Sequence, residues 1–133
     1  MPSAESGGEA LPVQQAFEEL FIKYNVDIVV AGHVHSYERH LPIARTKPVL
    51  DGVSADKKTY TNPKAPVYIT SGAAGNSEGH ENFKVSNIPW NVVTDTADYG
   101  ISKLKVVNRT TLTWNFLVSK TGAVVDEFTI IKQ

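Results

Sequence analysis

The sequence predicts an α/β fold that contains one helix, one buried strand and an antiparallel meander at its C-terminal end. Three observations lead to this prediction. Apolar side chains recur with the helical period between Pro12 and Tyr24. The run Val26–Ala31 is apolar and rich in β-branched residues, as is typical of a strand buried on both faces. Apolar and polar residues alternate along Thr111–Val118, which indicates a strand with one buried face.

Composition and charge are those of an ordinary globular domain. The 133 residues are enough for one domain with a hydrophobic core, and 41% hydrophobic with 20% charged residues is a typical balance. The formal net charge of −1 gives no reason to expect nucleic acid or an anionic membrane as a partner. The absence of cysteine excludes disulfides and thiolate metal sites, and no apolar run is long enough to span a membrane.

The first thirty residues indicate how the chain is organised. Met1–Ala10 is polar and Gly-rich, so we expect a flexible lead-in there and no signal peptide. Pro12 suits the first turn of the helix, and Asn25 can end the helix in the left-handed conformation. A helix followed by a buried strand is half of a βαβ unit. Because no strand precedes the helix in this sequence, we expect the chain to be a piece of a larger α/β protein.

Between the buried strand and the meander the patterns are weaker. Arg45–Ala65 is rich in Lys, Pro, Asp and Gly and predicts a long loop. Ser77–Asp98 has no clear period, and so long a connection is typical of a functional or mobile loop. The remaining predicted strands are Leu41–Ala44, Pro66–Thr70, Tyr99–Val107 and Ala123–Ile131.

A histidine pair directly follows the buried strand, in the run Gly32-His33-Val34-His35. In extended backbone, residues i and i+2 point to the same side, so the two imidazoles are expected to leave the strand together. Open α/β sheets bind ligands outside the carboxyl ends of their strands. Imidazole suits zinc, iron, copper and nickel, and Gly32 would let the backbone pass close to a metal. The pair His33 and His35 therefore predicts a metal site.

The longer run Gly32-His33-Val34-His35-Ser36-Tyr37-Glu38-Arg39 resembles the last metal-binding motif of the metallophosphoesterases, and of the purple acid phosphatases in particular. Ala65–Asn76 resembles the strand and Gly-Asn loop that follow this motif in that family, and Asp98–Gly100 and Val107–Thr110 resemble its closing strands. The resemblance implies that residues 11–133 form the C-terminal portion of a metallophosphoesterase domain. That domain is a four-layer sandwich of helices and two mixed sheets.

The same resemblance implies an activity and its cofactors. His33 resembles a ligand of a divalent metal, which is zinc, manganese or Fe(II), and His35 resembles a ligand of Fe(III). The implied reaction is hydrolysis of phosphate monoesters at a dinuclear metal centre. The family's bridging Asp, its iron-binding Tyr, its Asn ligand and its third metal His belong to upstream motifs that this sequence lacks. We therefore expect this chain alone to be inactive, with weak adventitious metal or none, and to need the N-terminal part of its parent enzyme.

Other residues have more than one interpretation. Gly75, Asn76 and His80 form a possible substrate loop, although a turn that demands glycine is the commoner reason for such a run. The side chains of Tyr37–Arg39 are expected to serve structure, through an ion pair and an aromatic cover. Asn108-Arg109-Thr110 is an N-glycosylation sequon at a predicted hairpin turn. Because the family is largely secreted, lysosomal or vacuolar, we expect a secretory parent.

Two alternatives to the phosphatase interpretation stay open. The chain could be a non-catalytic binding or interaction module that has retained the C-terminal part of the fold. It could also derive from a related phosphodiesterase or nucleotidase, because the substrate is not readable from these residues. In every case a chain that lacks half its sheet partners is expected to self-associate, since it exposes apolar surface and strand edges.

Overall fold

The structure is a computed structural model that describes residues 11–81 and 88–133. The predicted lead-in at residues 1–10 and part of the predicted long loop, residues 82–87, lie outside the described residues. Within the described ranges there are one helix and nine strands: α1 Leu11–Lys23, β1 Ile28–Ala31, β2 Tyr37–Ala44, β3 Lys47–Pro48, β4 Thr59–Thr61, β5 Val67–Ser71, β6 Asn91–Asp95, β7 Gly100–Asn108, β8 Thr111–Val118 and β9 Val124–Ile131.

The predicted helix, the strand after it and the C-terminal meander are confirmed. Helix α1 ends as expected, because Asn25 adopts a left-handed φ of 51° and the next amide, that of Val26, donates to the carbonyl of Phe21 at 2.9 Å. The apolar face of α1 is nevertheless exposed, with Val13, Phe17, Leu20 and Tyr24 all open to solvent. No helix in residues 11–81 and 88–133 is long and apolar enough to cross a bilayer.

The first sheet has the order β1-β5-β2-β3, and β6 pairs with β2. Strand β1 runs parallel to β5, with Val30 opposite Ile69. The prediction that this strand is buried on both faces is wrong. In the described chain β1 pairs with β5 alone, so it forms the edge of the sheet and half of the Val30 surface is exposed (50%).

Strand β2 is the buried centre of the first sheet and is longer than predicted. Sequence patterns indicated a short strand at Leu41–Ala44, but the strand begins at Tyr37 and its first seven residues are buried. The charged run Glu38-Arg39-His40 hid this strand, because charged side chains are rarely buried unless they are paired. Pairing of β2 with β5 on one side and β6 on the other explains the burial.

The second sheet has the order β4-β9-β8-β7. Its strands β7, β8 and β9 are the predicted meander, and the predicted inward residues Trp114, Phe116 and Val118 of β8 are buried. The predicted loop at Arg45–Ala65 contains β3 and β4, and the aperiodic stretch Ser77–Asp98 contains β6. These strands have two, three and five residues, which is too short to show a period.

The hydrophobic core lies between the two sheets. Tyr37 of β2 stacks on Phe116 of β8 with ring centroids 4.2 Å apart, which brings the central strands of the two sheets into contact. The buried core cluster consists of Tyr37, Tyr60, Val67, Ile69, Ala73, Trp114, Phe116, Phe128 and Ile130.

Candidate functional site

The candidate site is the histidine loop, residues 32–36, which connects the end of β1 to the start of β2. Because β1 and β5 are parallel, with Ala31 opposite Thr70, their carboxyl ends meet at the same edge of the sheet. The glycine loop, residues 72–76, follows β5 and therefore begins beside the histidine loop. This is the edge at which open α/β sheets bind ligands, as the sequence predicted.

The two loops are in backbone contact. The amide of Gly72 donates to the carbonyl oxygen of Ser36 at 3.0 Å. A Cβ built on Gly72 would lie 1.9 Å from the carbonyl oxygen of Val34, so no other residue fits without displacing the backbone. At Gly32, in contrast, the nearest atom to such a Cβ is the carbonyl oxygen of Ser71 at 3.9 Å, an ordinary contact. Of these two glycines, Gly72 is therefore the one that sterically requires glycine.

The histidine loop is not extended, so the extended backbone predicted for the pair is wrong. His33 has a left-handed φ of 76°, and the amide of Ser36 donates to the carbonyl oxygen of Val34 at 2.8 Å. This tight turn removes the alternation that would place residues i and i+2 on one side. Both histidines still lie on one short loop at the sheet edge, with His33 exposed and His35 partly buried.

Two carboxylates lie near the His35 ring. Its Nδ1 is 3.9 Å from Oε2 of Glu78 and 3.9 Å from Oε1 of Glu81. The amide of Glu81 also donates to the carbonyl oxygen of His35 at 3.2 Å, which fixes that segment beside the histidine loop. At 3.9 Å neither carboxylate is within hydrogen-bond distance of the ring, so the two are charged neighbours of His35.

The other predicted site residues have local structural roles. The side-chain oxygen of Asn76 accepts from the amides of Glu78 and Gly79, at 3.0 and 2.7 Å, and so closes a turn. Gly75 has a φ of 121°, which favours glycine. His80 stacks on Tyr99 with ring centroids 4.1 Å apart. These contacts support the turn interpretation, and a role of these residues in substrate binding stays a prediction.

The donor set fits a metal in residue type but not in number. Two imidazoles suit a transition metal in type, and both lie on the expected edge of the sheet. However, within the described part of the chain, no group of three or more His, Asp or Glu side chains is arranged to hold an ion. A catalytic zinc normally has three protein ligands. The described residues therefore fit as a contribution to a metal centre and do not fit as a complete one.

Sequence reasoning missed Asp126, the main polar partner of the motif. Its carboxylate is buried in β9 and binds both Tyr37 and Arg39. A signal was available, because Asp126 shares the inward face of β9 with Phe128 and Ile130. A carboxylate on a buried face implies a cationic or hydrogen-bonding partner. The expected structural role of Tyr37 and Arg39 is confirmed by these contacts.

The predicted sequon lies at the exposed turn between β7 and β8. The side-chain oxygen of Asn108 accepts from the amide of Thr110 at 2.9 Å and from its hydroxyl at 3.1 Å. This leaves the side-chain nitrogen of Asn108 as the free polar group of an exposed residue. Glycan attachment itself stays a prediction.

Comparison with known proteins agrees with the geometry. The family described as "Iron/zinc purple acid phosphatase-like protein C" matches residues 65–127. An acid phosphatase of Aspergillus ficuum is 35% identical over 136 residues, covering 99% of this chain and 22% of that protein. Acid phosphatase type 7 of Danio rerio is 37% identical over 123 residues, covering 92% of this chain and 27% of that protein.

A solved structure shares the fold. Purple acid phosphatase PPD1 from yellow lupin (Lupinus luteus) seeds superposes with a TM-score of 0.77 at 32% identity, covering 87% of this chain and 19% of that chain. The chain thus spans between 19% and 27% of the length of these three proteins. From the histidine motif, the two-sheet fold and these matches, the chain belongs to the purple acid phosphatase family and carries the C-terminal region of its fold.

Proposed function

We propose that this chain is part of an acid phosphatase that hydrolyses phosphate monoesters, and that His33 and His35 are its contribution to a dinuclear metal centre. The observation that supports this most directly is the position of the histidine loop at the carboxyl edge of the β1–β5 pair, in a chain of the purple acid phosphatase family. Two relatives that carry the name acid phosphatase support the reaction class.

The proposed metals are Fe(III) with zinc, manganese or Fe(II). When bound, they would supply the positive charge that a phosphoryl-transfer transition state needs. The chain's own task is to present two imidazoles in fixed positions. The hydrogen bond from the Gly72 amide to the Ser36 carbonyl holds the histidine loop against the glycine loop, and the missing Cβ of Gly72 allows this close approach. The carboxylates of Glu78 and Glu81, each 3.9 Å from Nδ1, add negative charge beside the His35 ring.

We infer that the remaining ligands come from a separate N-terminal portion and that this chain alone does not turn over substrate. Two clustered ligands leave any divalent ion mostly bound by water, so affinity is expected to be weak. The first experiment measures hydrolysis of p-nitrophenyl phosphate at acid pH by this chain with added iron, zinc or manganese. We expect no turnover above the metal blank. Robust turnover that disappears in His33→Ala/His35→Ala would contradict this inference.

The second experiment tests the proposed role of the two histidines. This chain replaces the corresponding region of Danio rerio acid phosphatase type 7, with which it is 37% identical. We expect the chimera to hydrolyse the monoester and to lose this activity in His33→Ala and in His35→Ala. Lys105→Ala, an exposed change on β7, is the matched control and should leave activity intact. An active chimera that tolerates both histidine substitutions would overturn the proposal.

The chimera also separates the alternatives. Faster hydrolysis of bis(p-nitrophenyl) phosphate than of the monoester would favour a phosphodiesterase. A folded chimera without hydrolase activity would favour a non-catalytic interaction module. We further propose a secretory parent with a glycan on Asn108, supported by the exposed position of that residue and its bonds to Thr110.

A further inference from the structure

One buried carboxylate connects the histidine motif to the second sheet. Tyr37 and Arg39, which are i and i+2 on β2, point to the same side and both bind Asp126 of β9. The Tyr37 hydroxyl donates to Oδ2 at 2.7 Å. The Arg39 guanidinium binds with two atoms, Nε to Oδ2 at 2.6 Å and Nη2 to Oδ1 at 2.8 Å. Such a two-point ion pair fixes direction as well as distance.

The surroundings of this pair make it rigid. Arg39 and Asp126 are only 1% and 4% exposed, so each charge depends on the other. The remaining guanidinium nitrogen of Arg39 donates to the carbonyl of Lys57 and to the hydroxyl of Tyr60. Although burial alone would lower the pKa of Arg39, its bonds with Asp126 raise it, so the cation is maintained.

The pair lies next to the histidines. Tyr37 is the first residue of β2, and the histidine loop ends at the residue before it, Ser36. Ser36 is fully buried, and its carbonyl oxygen accepts from Gly72. The loop therefore begins at the paired end of β1 and ends one residue before Tyr37, which binds Asp126.

We propose that Asp126 is a positioning residue for His33 and His35. It contacts neither substrate nor metal, and acts by holding Tyr37 and, through it, the C-terminal end of the histidine loop. The role in metal binding rests on the function proposed above. The role in holding the loop is independent of that function, because it can be measured without a metal.

The experiment compares variants of this chain by NMR. Tyr37→Phe removes one bond to Asp126 and keeps the ring on Phe116, whereas Asp126→Asn removes the charge. Ile130→Val, in the core on the same strand, is the control for general destabilisation. The first readout is the hydrogen-exchange rate of the Gly72 amide, which is bonded to Ser36, relative to the rate in the central strand β8. We expect a rise of about tenfold or more in Tyr37→Phe and Asp126→Asn.

The second readout is the affinity for Zn²⁺, measured from the shift of the His35 ring signals during a titration. Loss of a residue that orients a ligand typically lowers metal affinity about 10–100-fold, and we expect this in Asp126→Asn but not in Ile130→Val. If the relative exchange rate at Gly72 is no faster in Tyr37→Phe than in Ile130→Val, the proposal is wrong. If Asp126→Asn does not fold, the result for Tyr37→Phe decides the proposal. Zn²⁺ affinity as high in Asp126→Asn as in the unmodified chain would instead overturn the effect of Asp126 on metal binding, with the exchange result still valid. Where the unmodified chain shows no Zn²⁺ shift, the exchange result alone decides.

Discussion

Gly72 lies so close to Val34 that a Cβ on the glycine would be 1.9 Å from the valine carbonyl oxygen. Because Gly72 starts the loop after β5 and Val34 separates the two histidines, this contact sets the distance between the two loops of the candidate site. Replacement of a single hydrogen by a methyl group would therefore force the two loops apart.

We expect Gly72→Ala to lower the free energy of unfolding by at least about 1–3 kcal/mol, because the backbone must move to remove the overlap. Gly32→Ala is the matched control in the neighbouring loop, since its Cβ would meet only an ordinary contact at 3.9 Å. Denaturant titrations monitored by tryptophan fluorescence give the free energy of unfolding of both variants. Equal stability of the two variants would show that the loops adapt to the added methyl group.

His40 is expected to make stability depend on pH. Burial lowers the pKa of His40 to about 4, and neither ring nitrogen has a hydrogen-bond partner among the described residues. In the unfolded chain His40 titrates near its ordinary value, about 6.5. Between these two pH values the unfolded state binds more protons, so stability is lost as pH falls from about 6.5 to about 4.

Titration of His40 changes the free energy of unfolding by at most about 1.4 kcal/mol per pH unit. The carboxyl of Glu38, 3.6 Å from Nε2 of His40, would reduce this pH dependence by favouring the protonated ring. Unfolding free energies measured at several pH values should show a shallower dependence for His40→Gln than for the unmodified chain. Parallel curves for the two proteins would mean that His40 does not titrate in this range.

Self-association is expected from the exposed face of α1. The side chains of Val13, Phe17, Leu20 and Tyr24 form an apolar surface that the described sheets leave uncovered. A second copy could cover it by packing one helix against the other. Sedimentation velocity at micromolar concentration should show dimers or larger species, reduced in Phe17→Glu/Leu20→Lys. Val106→Lys, a change of a still more exposed apolar residue on β7, is the control. A compact monomer for the unmodified chain would refute this expectation.

Asn108 is expected to carry a glycan when the chain is expressed through a eukaryotic secretory pathway. The triplet Asn108-Arg109-Thr110 is the only sequon in the sequence, and the Thr110 hydroxyl already donates to the Asn108 side chain. An endoglycosidase should reduce the mass of the secreted protein. Asn108→Gln and Thr110→Ala should each abolish this mass change, whereas Asn115→Gln should not. Secreted protein with an unmodified Asn108 would refute the prediction.

Local patterns predicted the elements that have a clear period. Helix α1 and strand β8 were found within one residue of their bounds, because the periodicity of a long segment directly reflects the face that it buries. The strand β4 could not be found in this way, because three residues show no period and its place is set by pairing with the distant β9.

The candidate site was predicted in part. Residue type and position after a strand were enough to place His33 and His35 at the sheet edge. The conformation of their loop was not predictable, because a left-handed φ is uncommon for a residue other than glycine, as at His33. The partner of Arg39 was also hidden, since Asp126 lies in another sheet far along the chain.

The parallel pairing of β4 with β9 has a consequence for the order of folding. Thr59 lies opposite Thr129, and the amide of Asn62 donates to the carbonyl of Ile131, so the ladder joins segments that are distant in sequence. The entropy of closing so long a loop must be overcome before these bonds form. During synthesis β9 is the last of the described strands to leave the ribosome. Until it does, β4 lacks its ladder partner and Arg39 lacks its counter-ion, so these segments of the nascent chain stay unpaired and prone to aggregation.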